Sequence, residues 1–289
     1  MHDGSPGKTR QNKSEFVRNL KKTGARRRDQ KIHMSRARSL RGVLRRFGSI
    51  PRLMVSVRGW PYLLADWAGL RRKPYRLRTR RGAVCEIRPG TSDWWIFLEI
   101  FLFGIYRRAE PDIRRARVIL DIGANVGFFA LHASSLNPEA VIHSFEPFPK
   151  NVEQMKKNLR LNENRQVHVH PEAVTDQAGI LTLYFTPGYD ASCSLHGVKE
   201  HSCSVTALAV NELFRTCGMD DCDLLKMDCE GSELPIVQAA APEMLTRVRA
   251  IIMEYHSAAD VEPLRGALSR AGFRCEILAS IHTLYASRG

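Results

Sequence analysis

The sequence predicts an α/β fold, a doubly wound and mostly parallel sheet, preceded by a basic N-terminal extension. Three observations predict it. Beyond residue 82, strand-length apolar runs alternate with segments of helical periodicity, the pattern of a parallel sheet wound by right-handed crossovers. Runs such as "ARVILDIG" are apolar throughout, as in strands covered on both faces. The last two strand-like runs, "FRCEILA" and "HTLYAS", are joined by a short link, so one of them must run antiparallel.

The elements follow in order. "AVCEIRP" (83–89) alternates like a half-buried strand. "TSDWWIFLEIFLFGIYRR" (91–108) reads as a helix, with Thr91 or Ser92 as its cap and Asp93 in its first turn. "ARVILDIG" is a strand and "NVGFFALHASSLN" a helix ending near Asn137-Pro138. "AVIHSFE" (140–146) is the second strand of the alternation. "PKNVEQMKKNLRLN" is a helix with Val152, Met155 and Leu159 on one face, and "QVHVHPEAV" (166–174) is the third strand. "GILTLYF" and "SCSVTAL" are strands flanking a variable loop. "VNELFRTCG" is a helix that Gly218 ends. "CDLLKMD" (222–228) and "RAIIMEY" are strands, and "ELPIVQAAAPEML" is helical, with Pro235 tolerated in its first turn. "VEPLRGALSRAG" is the last helix.

The 289 residues, 44% of them apolar, suit one large domain plus an extension. The charge divides them. Residues 1–82 hold 24 Lys/Arg against 4 Asp/Glu, a net +20, and residues 83–289 carry a net −6. The boundary is therefore drawn at 82/83, with the extension partly disordered or helical. Its charge suits an anionic lipid surface, nucleic acid or a targeting role. Residues 45–73 mix apolar and basic side chains, which fits a membrane surface or packing on the main domain. No apolar run is long enough to span a bilayer; "WWIFLEIFLFGIY" (94–106) is too short and carries Glu99. The first residues lack the apolar core of a secretory signal. Seven cysteines include no CxxC pair, which predicts reduced thiols in a cytoplasmic protein, peripheral at a membrane at most, and no metal site.

Ligands of such sheets sit beyond the carboxyl ends of the strands, where strand order reverses. "VILDIGANVGFF" (118–129) belongs at such a place. Gly123 permits the turn, Asn125 lies within it, Gly127 lets the helix start close to a ligand, and Asp121 is the acid at the tip. The next strand also ends in an acid, Glu146, which can accept both hydroxyl hydrogens of a ribose. At the end of the third strand, Glu172 and Ala173 are placed to meet an adenine edge. The glycine spacing G-x-x-x-G departs from the G-x-G-x-x-G that cradles a pyrophosphate, which argues against a nicotinamide-dependent oxidoreductase. Asp121 would repel phosphate and hold an amino group. Adenosine joined to a cationic amino acid, S-adenosylmethionine, is the cofactor these features predict.

The motifs "IRPGTSDWWIFLEIFLFGIY", "VILDIGANVGFF", "FEPFPKNVEQMKKNL", "DLLKMDCEGSE" and "IIMEYH", in this order, resemble the FkbM-type methyltransferase family over about residues 83–256. The resemblance implies a class I, Rossmann-like methyltransferase fold with seven strands and an antiparallel edge strand. It also implies methyl transfer to oxygen, usually a hydroxyl of a sugar or natural-product scaffold. Cys229 stands where an aliphatic residue is more usual, and residues 1–82 are not covered.

A hydroxyl acceptor must lose its proton. Asp228, Glu254 and His256, at the tips of "CDLLKMD" and "RAIIMEY", are the candidates. Glu230 is placed against substrate, while Glu233 and Ser232 suit a helix start. Asp228 and Glu254 also suit Mg²⁺, but no third ligand is evident. The loop "GYDASCSLHG" (188–197) suits closure over substrate through Ser194 and His196. The expected acceptor is a small molecule or glycan. The alternative is an RNA-directed methyltransferase or nucleic-acid-binding protein using the basic arm. It lacks the N-P-P-Y or D-P-P-Y pattern, and an acidic domain suits a neutral acceptor better.

Overall fold

The computed structural model describes residues 50–186 and 201–288. The chain divides into two compact units, Met1–Val55 and Ser56–Gly289. Of the first, the described part is the start of a helix, Ile50–Ser56.

In the second unit, β1 (Val57–Arg58), β2 (Tyr75–Thr79) and β3 (Val84–Ile87) form a small antiparallel sheet. β4 (Val118–Ile122), β5 (Val141–Phe145) and β6 (Val167–His170) follow, then β7 (Ala173–Thr175), β8 (Gly179–Phe185) and β9 (His201–Ala209). β10 (Cys222–Met227), β11 (Val248–Glu254), β12 (Arg274–Leu278) and β13 (Thr283–Ser287) complete the chain. Seven of these strands make the central sheet, in the order β12-β13-β11-β10-β4-β5-β6. Only β13 runs antiparallel to its neighbours. It lies at the closing side of the sheet, one place in, with β12 outside it. This is the class I Rossmann-like arrangement. From β4 the chain winds one way to β5 and β6, and later the other way through β10 and β11, so the carboxyl ends of β4 and β10 flank the switch point. Leu120, Ile122, Leu225, Met227, Ile251 and Met253 are buried in this sheet, which explains its uninterrupted apolar runs.

Three expectations are corrected by local chemistry. The third strand, expected over 166–174, is two strands in two sheets. Pro171 has no N–H to donate, so β6 stops at His170 and β7 joins a separate sheet, β7-β9-β8. The helix expected over 91–108 is α-helical only for Asp93–Leu98. It widens to a π-turn over Glu99–Phe103 and ends at Gly104, whose φ is 67°. "ELPIVQAAAPEML" is two helices, Glu233–Ala239 and Pro242–Thr246, because the residue before Pro242 is extended.

The boundary drawn at 82/83 falls inside the β2–β3 hairpin. Tyr75 and Leu77 of β2 are buried, and the Tyr75 hydroxyl donates to Asp66 Oδ2 at 2.9 Å. β3 is fixed to the helix Pro149–Leu161: Val84 N donates to Asn162 Oδ1 (2.8 Å) and Glu86 N to Asn158 Oδ1 (2.9 Å). The stretch from Ser56 to Gly82 therefore belongs to the same unit as the large sheet, because apolar contact rather than charge sets the edge of a domain.

Candidate active site

The turn after β4 is built by a close crossing of backbones. Gly123 has φ +75°, and a Cβ there would sit 1.9 Å from the Asp228 carbonyl oxygen at the tip of β10. No side chain fits, so the tips of β4 and β10 are held together. Gly127 also has positive φ, but the space its missing Cβ leaves is taken by Met155, 2.7 Å away. Its expected role of admitting a ligand is corrected: it admits the neighbouring helix. Asn125 adopts φ 51° and donates its backbone N–H to Glu146 Oε2 at 2.8 Å.

Asp121 departs furthest from expectation. It is wholly buried, with Oδ1 3.1 Å from Lys226 Nζ and Oδ2 accepting from Ser144 Oγ at 3.3 Å. Burial pushes its carboxyl up, and the Lys226 charge opposes that. It does not line the cleft, so the expected contact with a ligand's amino group is corrected to a contact with Lys226. That lysine, 2% exposed, also donates to the carbonyl of Gly123 at 2.7 Å. The pair thus fixes the turn from below. Lys226 was not foreseen, although a lone lysine inside "CDLLKMD" signals a buried charge that needs a partner.

Gly123, Asn125, Glu146, Glu172, Ala173, Asp228 and Glu230 line one cleft. It encloses about 70 Å³, so a nucleoside would fill it and protrude. Glu146 is buried and accepts from the N–H groups of Asn125 (2.8 Å) and Phe148 (2.9 Å). Burial pushes its carboxyl up to about 7, with those amides pulling the other way. Oε1 also accepts from Asn151 Nδ2 at 3.5 Å, and Oε2 keeps a lone pair for a further donor. Glu172 Oε2 is buried and has no hydrogen-bond partner among the described residues. An orphaned acceptor in a cleft is what a ligand's amino group would satisfy. These two acids fit an adenosyl ligand.

At the mouth, β10 and β11 bring acids together around one histidine. His256 Nδ1 lies 3.3 Å from Glu233 Oε1, and Nε2 lies 3.8 Å from Asp228 Oδ1 and 3.9 Å from Glu230 Oε2. Burial would lower its pKa, but the hydrogen bond to Glu233 and the charges of Glu230, Glu233 and Asp228 outweigh this and push it up to about 11. His256 is therefore an imidazolium at neutral pH. With no lone pair to accept a proton, its expected role as base is corrected to that of a cation organising carboxylates. Glu233 also accepts from the N–H groups of Cys229 (2.6 Å) and Gly231 (3.0 Å), so it shapes the turn while Ser232 makes no side-chain cap. Glu230 takes a left-handed φ of 53°, a strained placement of a kind that recurs at binding sites.

Glu254 is pushed well above the usual carboxylate range, by burial first and then by the Asp228 charge, with His256 opposing. Tyr106 was also not foreseen. Its buried phenol is held far above its ordinary pKa by burial and by the charges of Asp228, Glu254, Asp121 and Glu99. Glu99 opens the π-turn, which no sequence period announces, and Tyr106 lies just past it, before the short helix Arg107–Ala109. Ser194 and His196 lie outside the described residues.

Residues 121–275 match the family described as the methyltransferase FkbM domain. The chain is 30% identical over 145 residues to the 31-O-demethyl-FK506 methyltransferase FkbM of Streptomyces tacrolimicus, covering 50% of this chain and 52% of that protein. It is 30% identical over 156 residues to the 2-O-methyltransferase NoeI of Sinorhizobium fredii, covering 48% of this chain and 63% of that one. A third relative is the AMB antimetabolite synthetase AmbE of Pseudomonas aeruginosa, 25% identical over 232 residues, which are 63% of this chain but 11% of AmbE. The matched part thus spans at most about two thirds of each of these three proteins. A solved FkbM methyltransferase from Methylobacillus flagellatus superposes with a TM-score of 0.45 at 17% identity, over 59% of this chain and 43% of that one.

Proposed function

The chain belongs to the FkbM methyltransferase family, and from that premise we propose that it methylates a hydroxyl oxygen of a sugar, lipid or natural-product acceptor, using S-adenosylmethionine. The observation that carries the cofactor is the pair of acids on one cleft. Glu146 accepts from the ribose hydroxyls, and the orphaned Oε2 of Glu172 accepts from the adenine amino group, with Ala173 against the base. Gly123 and Asn125 bring backbone close to the ligand. When bound, the cofactor supplies an electrophilic methyl group on a cationic sulfur. The acid-rich mouth formed by Asp228 and Glu230 favours that positive charge.

Asp228 is the group we assign to the acceptor's proton. It lines the cleft, and its backbone N–H donates to the Ile122 carbonyl at 3.1 Å, which fixes it at the switch point. His256 holds it in place from the solvent side. Holding the acceptor oxygen in line behind the methyl carbon supplies much of the rate.

Calorimetry with S-adenosylmethionine and NAD, followed by transfer of labelled methyl groups to sugars, lipids and polyketides, tests the reading. Binding of NAD in preference, or no binding of S-adenosylmethionine, overturns it.

A surface feature supports an acceptor met at a membrane from the cytoplasmic side. Tyr62, Leu64, Trp67 and Leu70 are exposed by 37% to 77% within nine residues, flanked by Arg58, Arg71, Arg72 and Lys73. Apolar and aromatic side chains beside cations suit an anionic bilayer surface. No described helix is long and apolar enough to cross a membrane. Co-sedimentation with phosphatidylserine vesicles but not neutral ones, lost at high salt, is expected. Tight binding of RNA without vesicle binding would favour the RNA-directed alternative instead.

A further inference from the structure

At the amino-terminal ends of β4 and β5, away from the nucleoside cleft, lies a larger cavity of about 720 Å³. His143 of β5, His170 of β6 and Cys217, at the end of the helix Leu213–Cys217, line it. His143 Nδ1 and His170 Nε2 are 3.0 Å apart. One ligand atom from each of the three side chains lies within 4.8 Å of the other two.

We propose that His143, His170 and Cys217 form a zinc site, with the fourth position open to water from the cavity. A tetrahedral zinc ion would set two imidazole nitrogens ~3.3 Å apart, and nitrogen and thiolate sulfur ~3.6 Å apart. The histidine pair is close to that spacing already, and the thiol, within 4.8 Å of both nitrogens, needs a shift of at most about 1.2 Å. A hydrogen bond between the imidazoles explains their contact, but not the arrival of a thiol from a third element at the same point. The rings are also held in place. His143 stacks on His168 at 5.1 Å between centroids, and His170 stacks on Phe145 at 4.4 Å. Asp220, Asp221 and Asp223 line the same cavity, although Arg247 and Arg249 lie 3.7 Å and 3.5 Å from Asp220 and Asp223. On binding, the Cys217 thiol loses its proton to solvent and the thiolate sulfur donates a pair to the ion, so the ion clips the helix to the sheet. No oxidation change is involved, as zinc has none.

A second cluster, Asp228, Glu233 and His256, has comparable spacing, but its members already neutralise one another as an ion-paired set. It serves as the control.

The experiment uses the full chain without a histidine tag. Metal content is measured as purified, and Co²⁺ is titrated into chelator-treated protein. The expected result is one ion per chain, with visible bands of tetrahedral Co²⁺ and a near-ultraviolet sulfur-to-cobalt band. Cys217→Ser should abolish the sulfur band. His170→Ala and His143→Ala should weaken binding about tenfold or more, and His256→Ala should bind like the parent chain. Absence of stoichiometric binding overturns the proposal, as does a sulfur band that survives Cys217→Ser. Loss of the ion in His256→Ala alone would place it at the acid cluster and equally overturn the assignment. Should His170→Ala fail to fold by circular dichroism, the near-isosteric Cys217→Ser decides.

Discussion

Glu146 owes its chemistry to burial set against two backbone amides. Its carboxyl stands at about 7 rather than 4.5. Between those values the folded chain keeps a proton that the unfolded chain gives up, so this group's contribution to stability falls as pH rises from 4.5 to about 7. Ribose hydroxyls donate to the carboxylate form, so cofactor binding should release a proton and tighten as pH passes through about 7. Calorimetry in two buffers of different ionisation heat reads that proton, and Glu146→Gln should flatten the pH dependence. Glu146→Ala should weaken cofactor binding by ~1–3 kcal/mol, the cost of a stranded polar partner; equal affinity in both variants would remove Glu146 from the site. His256 has the opposite character. Its pKa is raised to about 11, so its contribution to stability is complete below 6.5 and is lost only as pH rises through about 11. Asp228→Asn should lower turnover by roughly 10²–10⁴-fold with little change in cofactor affinity. His256→Gln should lower turnover without removing any limb of the pH–rate profile near neutrality. A limb near pH 6.5 that vanishes in His256→Gln would restore histidine as the base.

The buried Lys226–Asp121 pair joins two central strands, β10 and β4, at their tips. Removing one partner leaves an uncompensated charge in the interior, so Lys226→Met should cost ~3–5 kcal/mol in urea unfolding. The double substitution with Asp121→Asn should recover part of that loss, and additive costs would show that the two do not act as a pair. The small sheet β1-β2-β3 makes a second test. Removal of residues 1–55 should leave a folded unit that melts as the parent does. Removal of residues 1–80 strips β1 and β2 and uncovers β3, which also loses the packing of Leu77 and Tyr75. That shorter chain should melt lower or precipitate, since an unpaired edge is a template for aggregation. Equal melting of the two would place the domain edge at the charge boundary after all.

Across the whole molecule, charge and packing divide the chain at different places. The basic stretch runs to residue 82, yet the compact unit starts at Ser56, because net charge governs what a surface attracts and does not mark where a core ends. The α/β alternation, the strands β4, β5, β10 and β11, and the cleft acids Glu146 and Glu172 were legible in the sequence. Each follows from a local rule: an unbroken apolar run, a glycine turn, an acid at a strand tip. What was not legible depends on which segments meet. Asp121 reads as a ligand contact until Lys226, 105 residues on, is seen beside it. His256 reads as a base until three carboxylates converge on it. Gly127 reads as room for a ligand until Met155 fills the space. Glu99 and Tyr106 are placed by a π-turn and the bend after it, whose spacing has no signature, and His143, His170 and Cys217 are too far apart in sequence to look like ligands. The sequence by itself determined the family and the sheet, since motif order, short-range periodicity and turn chemistry encode them. The tertiary structure alone decided which ionisable groups are charged, because a pKa is set by burial and by neighbours that only folding brings within a few ångströms.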